Sequence, residues 1–389
     1  MKTINLNRLK SIAKTVKPFV GDSRTIPIIN TVVLTETEKG LEMAATDLTA
    51  NIRILIPCSG ATGGKESVLI AGKTLHKTLT SLKGKKNTEI EITITDGSLH
   101  IKVAGTKREL TLKGESGTKG PHSVDDYPSF AHIYNPTFTA TVNPETLAIA
   151  LVRAVDVATS EQQRFECAAV HIRENEKGFD VAGSDQKRTT ITAVQPDSLE
   201  NDPAFKANLP FKQVHSMLPC FDMLPDALPV IITIDAKRAI FEIWNERLQA
   251  EFTVSMALLS GNFPPYEQVL NRWDNMTPRV VSFNAPAMLK ACKGLLPFAS
   301  ETSRRCLCHI NSGIHLSVQS RMSKAEDDVE TNQDIDPAFD VALAVPFLID
   351  AVASIEGDID LHLGRDDESP VRFVQGNYQH ILMPMYKDD

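Results

Sequence analysis

The apolar residues of this chain repeat one pattern three times. A short apolar alternation ends in asparagine and passes into residues apolar at helical spacing. It runs from Ile4-Asn5-Leu6-Asn7 into 8–20, from Ala140-Thr141-Val142-Asn143 into 144–157, and from Val281-Ser282-Phe283-Asn284 into 285–296. Asn7, Asn143 and Asn284 stand where a helix N-cap belongs, since an asparagine oxygen accepts from the free N–H groups of a first helical turn. Pro144 and Pro286 fall in that first turn, where a missing N–H costs nothing. The asparagines are 136 and 141 residues apart.

A second helix recurs at a similar interval. Ile70-Ala71-Gly72-Lys73 opens 74–82, Leu209-Pro210-Phe211-Lys212 opens 213–218, and Val345-Pro346-Phe347 opens 348–355. Alternating strands separated by turn residues follow each helix: 89–95 and 99–103, 230–234 and 239–244, 359–363 and 371–374. Landmarks in one order at one interval predict a triplicated α+β chain. Its unit is a two-helix domain with helices on one face of antiparallel sheet. The domains are expected at 1–133, 134–277 and 278–389, with linkers at 131–136 and 271–278. A period this long is that of a domain, far above a solenoid repeat.

Composition narrows the class. The chain has 389 residues, 42% of them hydrophobic, enough for real cores. No apolar run is long enough for a transmembrane helix and the first residues lack a signal-peptide core, so a cytoplasmic location is expected. The six cysteines are scattered, as reduced and mostly buried cysteines are. Cys306 and Cys308 would share one strand face, and the second half of a zinc site is missing.

The net charge of −8 argues against a general nucleic-acid binder, but its distribution is uneven. Lys2, Arg8, Lys10, Lys14 and Lys17 come with no acid, as do Lys73, Lys77, Lys83, Lys85 and Lys86. Glu326, Asp327, Asp328, Glu330, Asp334 and Asp336 form an acidic run expected to be a solvated loop.

Catalytic signatures are missing. The glycine-rich stretch 60–65 has Ser59 and Glu66 where a P-loop needs glycine and a hydroxyl residue, so a hairpin loop is expected. No nucleophile elbow, His-Glu-x-x-His or Cys-x-x-Cys occurs, and no cofactor or metal is expected. Asp47 and Asp185 occupy matching places 138 residues apart. They could hold a divalent metal for phosphoryl chemistry, which would make the chain a metal-dependent DNA-processing enzyme. The other reading is that each ties down its own turn, since repeated structure repeats its turns.

Arg24-Thr25-Ile26-Pro27-Ile28-Ile29, Ala45-Thr46-Asp47-Leu48, the segment 262–270 (NFPPYEQVL) and the terminal Ile381-Leu382-Met383-Pro384-Met385 together resemble the bacterial sliding clamp family, the beta subunit of the replicative DNA polymerase III. The resemblance runs the whole length in order. It implies a head-to-tail homodimer closed into a ring around duplex DNA, with helices lining the hole and no active site. It also implies a pocket between the second and third domains that tethers polymerases, the clamp loader and repair proteins by short linear motifs. Arg164, Cys167, Ser184, Gln186, Lys187, Arg188, Thr189, Pro264, Gln268, Val269, Ile381, Leu382, Met383, Pro384 and Met385 match that pocket. Gln186, Lys187, Thr189 and Glu166 depart from the family pattern. Arg24, Lys10, Lys14, Lys73, Lys77, Lys206, Lys212 and Lys290 are the expected DNA-facing cations on the lining; the helix 346–356 carries Asp350 and Glu356 with no base. The dimer interface is expected at the edge strand 108–112, with Arg108 and Leu110, near Phe298.

Overall fold

The computed structural model describes residues 2–60, 66–115, 123–130, 132–159, 166–224, 226–274 and 278–386. Arg164 and most of the glycine-rich stretch, 61–65, lie outside them. The first run of elements is β1 (Lys2–Asn5), α1 (Leu6–Val16), β2 (Thr31–Glu36), β3 (Gly40–Thr46), β4 (Ala50–Pro57), β5 (Ser67–Ala71), α2 (Gly72–Ser81), β6 (Glu89–Thr95), β7 (Ser98–Val103) and β8 (Glu109–Lys113). The second is β9 (Phe138–Val142), α3 (Pro144–Val157), β10 (Ala169–Asn175), β11 (Gly178–Ser184), β12 (Arg188–Val194), β13 (Ser198–Asn201), β14 (Lys206–Pro210), α4 (Phe211–Met217), β15 (Val230–Ile234), β16 (Arg238–Asn245) and β17 (Ala250–Ala257), followed by α5 (Glu267–Asp274). The third is β18 (Arg279–Asn284), α6 (Ala285–Leu295), β19 (Arg305–Ile310), β20 (Ile314–Gln319), β21 (Lys324–Val329), β22 (Phe339–Ala344), α7 (Val345–Val352), β23 (Asp358–Leu363), β24 (Val371–Gln375) and β25 (Tyr378–Leu382). The α+β reading with antiparallel sheet therefore holds, and the order of elements recurs three times, the second time with one extra strand, β13.

The caps explain why the first helices start where they do. Asn143 accepts from the N–H groups of Glu145 and Thr146, and Asn284 accepts from Ala287. In the first run the cap is Asn5, not Asn7: its Oδ1 takes the N–H groups of Asn7 and Arg8. Leu6 is already helical and fully buried, which fixes the start two residues earlier than expected. The segment 271–278, expected as a linker, is helical in α5 up to Asp274.

The strands form four antiparallel sheets, ordered β1-β6-β7-β8, β13-β9-β15-β16-β17-β4-β3-β2-β5, β14-β10-β11-β12-β25-β24-β23-β18 and β21-β20-β19-β22. The two long sheets are each sutured at one place. In one, β17 pairs with β4; in the other, β12 pairs with β25. Every strand in these sutures is the last of three consecutive hairpin-linked strands. The corresponding strands of the short sheets are β8 and β21, which end their sheets.

The chain gathers into two compact units, one of 1–148, 196–205 and 212–259, the other of 149–195, 206–211 and 260–389. This grouping divides the middle repeat, because each of its half-sheets continues into strands of a neighbouring repeat. In the first unit Phe138 stacks on Phe205, and Arg8 is half-buried, donating to the Leu248 and Gln249 carbonyls. Arg8 is therefore tied into the scaffold. In the second unit α6 and α7 cover a core that includes Phe283, Leu316, Leu343, Leu361, Phe373 and Tyr378.

The acidic run is not a solvated loop at its start: 324–329 is strand β21. Glu326 and Asp328 point to the outer face, and Val329 is buried. Cys306 and Cys308 both face inward on β19 and are buried.

Gly183 in β11 has no room for a side chain, because a Cβ there would run into the Ala154 carbonyl of α3. Overpacking of this kind costs about 1–3 kcal/mol. Gly183→Ala should lower the unfolding free energy by that amount, read in urea melts as a lower midpoint with an unchanged slope.

Candidate functional site

The turn between β11 and β12 is built by its own side chains. Ser184 Oγ accepts from the Gln186 N–H and lies 2.9 Å from Thr189 Oγ1. Asp185 Oδ1 accepts the N–H groups of Lys187 and Arg188, both at 2.9 Å. Gln186 takes a left-handed conformation (φ 70°), and its amide donates to Glu166 Oε1 at 2.8 Å. The departures at positions 186 and 166 are thus paired with each other. Asp47 makes the same turn, accepting from Thr49 and Ala50, and Asp235 repeats it with Lys237 and Arg238. The matched aspartates are turn-holding residues, and among the described residues no three His, Cys, Asp or Glu side chains converge on a metal position.

Arg188 fastens this turn from below. It pairs with Asp185 at 3.1 Å and with Asp350 of α7, and its guanidinium lies 4.4 Å from the Phe347 ring centroid. The register of β12 against β25 sets Thr189 opposite Ile381 and Arg188 opposite Leu382. The Met383 N–H donates to the Lys187 carbonyl at 2.9 Å.

The 263–270 segment supplies a second wall. Phe263 stacks on His171 at 4.7 Å, and Tyr266 meets Phe263 edge to face at 6.1 Å. Both rings are buried with Ala169, Ala182, Ile191 and Ile381. Burial lowers the His171 pKa and raises that of Tyr266, so both are neutral at pH 7.

Between these walls lies a cleft of about 580 Å³, all of it within the second compact unit. Ser184, Gln186, Arg188, Thr189, Pro264, Gln268, Val269, Ile381 and Met383 line it, as expected from the sequence. Five other expected residues do not. Cys167 is fully buried; Leu382, one position on from Ile381 in β25, faces the opposite side and joins the α6–α7 core. Lys187 and Pro384 stand outside the lining, and Met385 bridges to Ala342 of β22. Sequence reasoning missed Pro265 and Tyr266, next to residues it did select. It also missed Asp366, Glu368, Ser369 and Pro370, which reach the cleft on the loop between β23 and β24. That loop carried no signal beyond turn composition.

The cleft sets apolar wall from Pro264, Val269, Pro370, Ile381 and Met383 beside polar groups of Ser184, Gln186, Arg188, Thr189, Gln268, Asp366, Glu368 and Ser369; among the described residues no histidine or cysteine lines it. The apolar wall has the character of a surface that suits an extended segment with one or two large apolar side chains, and among the described residues no nucleophile–base pair lines it.

His380 lies behind the cleft in β25, wholly buried, with Nδ1 2.9 Å from Tyr378 Oη, which donates to the Ala351 carbonyl. Burial, reinforced by the Arg188 charge, pulls its pKa down to about 3. A depressed folded pKa means that the unfolded chain takes the proton first as pH falls below about 6.5, so stability is lost from there toward pH 3. His380 alone should remove about 2 kcal/mol between pH 6.5 and 5. His380→Gln should flatten that slope in urea melts; an unchanged slope would contradict the neutral state.

The expected DNA-facing cations fall into two groups. Lys14, Lys73, Lys77, Lys212 and Lys290 are exposed on helices α1, α2, α4 and α6, and Lys73 pairs with Asp22 at 3.1 Å. Lys10 on α1 is half-buried and donates to the Leu82 carbonyl, and Arg24 is exposed on a bend. Lys206 is a correction: it lies on strand β14, not on a helix. Lys2, counted in the basic stretch, is buried in β1.

Three repeats of two helices on antiparallel sheet define an α+β clamp architecture. The chain has the sliding-clamp fold. A Pseudomonas aeruginosa sliding clamp, the DNA polymerase III beta subunit bound to griselimycin, superposes with TM-score 0.83 at 16% identity, covering 99% of this chain and 98% of that one. The Helicobacter pylori beta clamp bound to a DNA ligase peptide superposes at 0.79 with 18% identity, covering 99% of both chains. In sequence, the chain is 22% identical over 304 residues to the beta sliding clamp of Chlamydia muridarum, 77% of this chain and 75% of that protein. No family model matches the chain. Among the described residues, no helix is long and apolar enough to cross a membrane.

Proposed function

We propose that the chain is a DNA polymerase processivity factor: a sliding clamp that closes as a head-to-tail homodimer around duplex DNA and does its work without catalysis. Three domains per chain, near 1–133, 134–277 and 278–389, would give a ring of six repeats. The observation that carries this reading is the pair of open edges. Inside the chain, the last strand of one hairpin run pairs with the last strand of another at β4–β17 and at β12–β25. Among the described strands, β8 and β21 are the equivalents with no such partner in the sheet order. A second copy, with its β21 on this β8 and the reverse, repeats the in-chain suture and closes the ring.

The charges support the pairing. Residues 107–113 carry Lys107, Arg108 and Lys113 against Glu109, whereas β21 carries Glu326, Asp327 and Asp328 against Lys324. Phe298 is an exposed apolar residue whose carbonyl accepts from Ser323, just before β21. The exposed lysines of α1, α2, α4 and α6 would face phosphates without reading bases, which permits sliding and weakens with salt. The cleft would take short linear motifs of polymerases, the clamp loader and repair proteins. The protein would act in the cytoplasm, on the nucleoid during replication.

Sedimentation equilibrium tests the assembly. A mass twice the 42.7 kDa of the chain is expected, and a monomer at all micromolar concentrations would contradict it.

A further inference from the structure

On the outer face of the sheet β21-β20-β19-β22 one row of side chains crosses all four strands. The registers set Asp328 opposite His315, His315 opposite His309, and His309 opposite Asp340. The inward neighbours Cys308, Ile310, Ile314 and Leu316 are buried, so the row faces solvent. Each imidazole is held at Nδ1 by its own carboxylate: His309 by Asp340 at 2.6 Å and His315 by Asp328 at 2.8 Å.

We propose that His309 and His315 form a divalent transition-metal site. A ring that donates from Nδ1 to a carboxylate presents Nε2 as a lone pair, the tautomer a metal requires, and metal-ligating histidines characteristically have such a partner. Directly opposed residues have Cβ atoms roughly 4.5–5.5 Å apart. Both imidazoles can therefore reach one ion at N–metal distances of about 2.0–2.1 Å. Glu326 Oε1, 3.9 Å from His315 Nε2 and paired with Lys324, is a further donor. No three donors converge as the side chains stand, so the site is a two-imidazole chelate completed by water or by a swing of Glu326. Imidazole donors select Zn²⁺, Ni²⁺ or Cu²⁺ over Mg²⁺ or Ca²⁺.

The test is calorimetric titration of the untagged chain with Ni²⁺ and Zn²⁺ at pH 7.5. Saturable binding of one ion per chain is expected, absent with Mg²⁺. His309→Gln and His315→Gln should each abolish saturation. Asp340→Asn should weaken binding about 10- to 100-fold through the loss of the orienting carboxylate. The four side chains are at least two-fifths exposed, so these variants should keep the wild-type thermal midpoint within a degree or two. No saturable binding by the wild-type chain would overturn the proposal. Undiminished binding by the double histidine variant would also overturn it, placing the metal elsewhere.

Discussion

Arg188→Met is expected to destabilise the second compact unit by about 3 kcal/mol, the usual cost of deleting one partner of a buried ion pair. The Arg188 and Asp185 side chains are 11% and 12% exposed, so solvent does little to replace the lost charge. Asp350 loses its partner at the same time, and the Phe347 ring loses the cation above it. A methionine restores the apolar volume over Phe347 but removes the positive charge that faces the Asp185 and Asp350 carboxylates. Urea unfolding at pH 7 measures the loss. A change below about 0.5 kcal/mol, the range of an ordinary surface substitution, would mean that the network is decorative. Because Arg188 also lines the cleft, the variant should lose peptide binding even where it remains folded.

Charge reversal at the open edge should have the other large effect. Lys107→Glu, Arg108→Glu and Lys113→Glu together would set acids against Glu326, Asp327 and Asp328 of a second copy. Three like-charge contacts at each of the two interfaces, at about 1 kcal/mol each, weaken dimerisation about 10,000-fold. All three residues are exposed, so folding should be unaffected. The reciprocal variant Glu326→Lys, Asp327→Lys and Asp328→Lys should fail to self-associate yet pair with the first. Sedimentation of each variant and of their mixture reads the outcome; unaltered dimers in either single set would exclude β8–β21 pairing.

The sequence made some of this legible and hid the rest for physical reasons. The repeated helices showed because their buried faces keep strict spacing, and two of the three capping asparagines were placed correctly. The third failed because Asn5 and Asn7 flank a leucine and either could cap; burial of Leu6 decides between them. The acidic run hid β21 because its inward positions are Ala325, Asp327 and Val329, a weak apolar alternation read against four acids. Lys206 was placed on a helix because it lies just before one; hydrogen bonding to β10 makes it strand.

The cleft was legible as two motifs, 262–270 and 381–385, that belong together by resemblance. Which side of β25 faces it was not, since Ile381, Leu382 and Met383 are all apolar and only strand alternation separates them. The loop carrying Asp366, Glu368, Ser369 and Pro370 has no motif; the hairpin β23–β24 brings it there.

The claim that the chain works by enclosing DNA is tested most directly by retention on nicked circular duplex. Protein loaded on the circle and passed through a sizing column at 150 mM salt should stay with the DNA, and one cut that linearises the circle should release it. Equal retention on circular and linear DNA would contradict a closed ring and leave a surface that merely adheres.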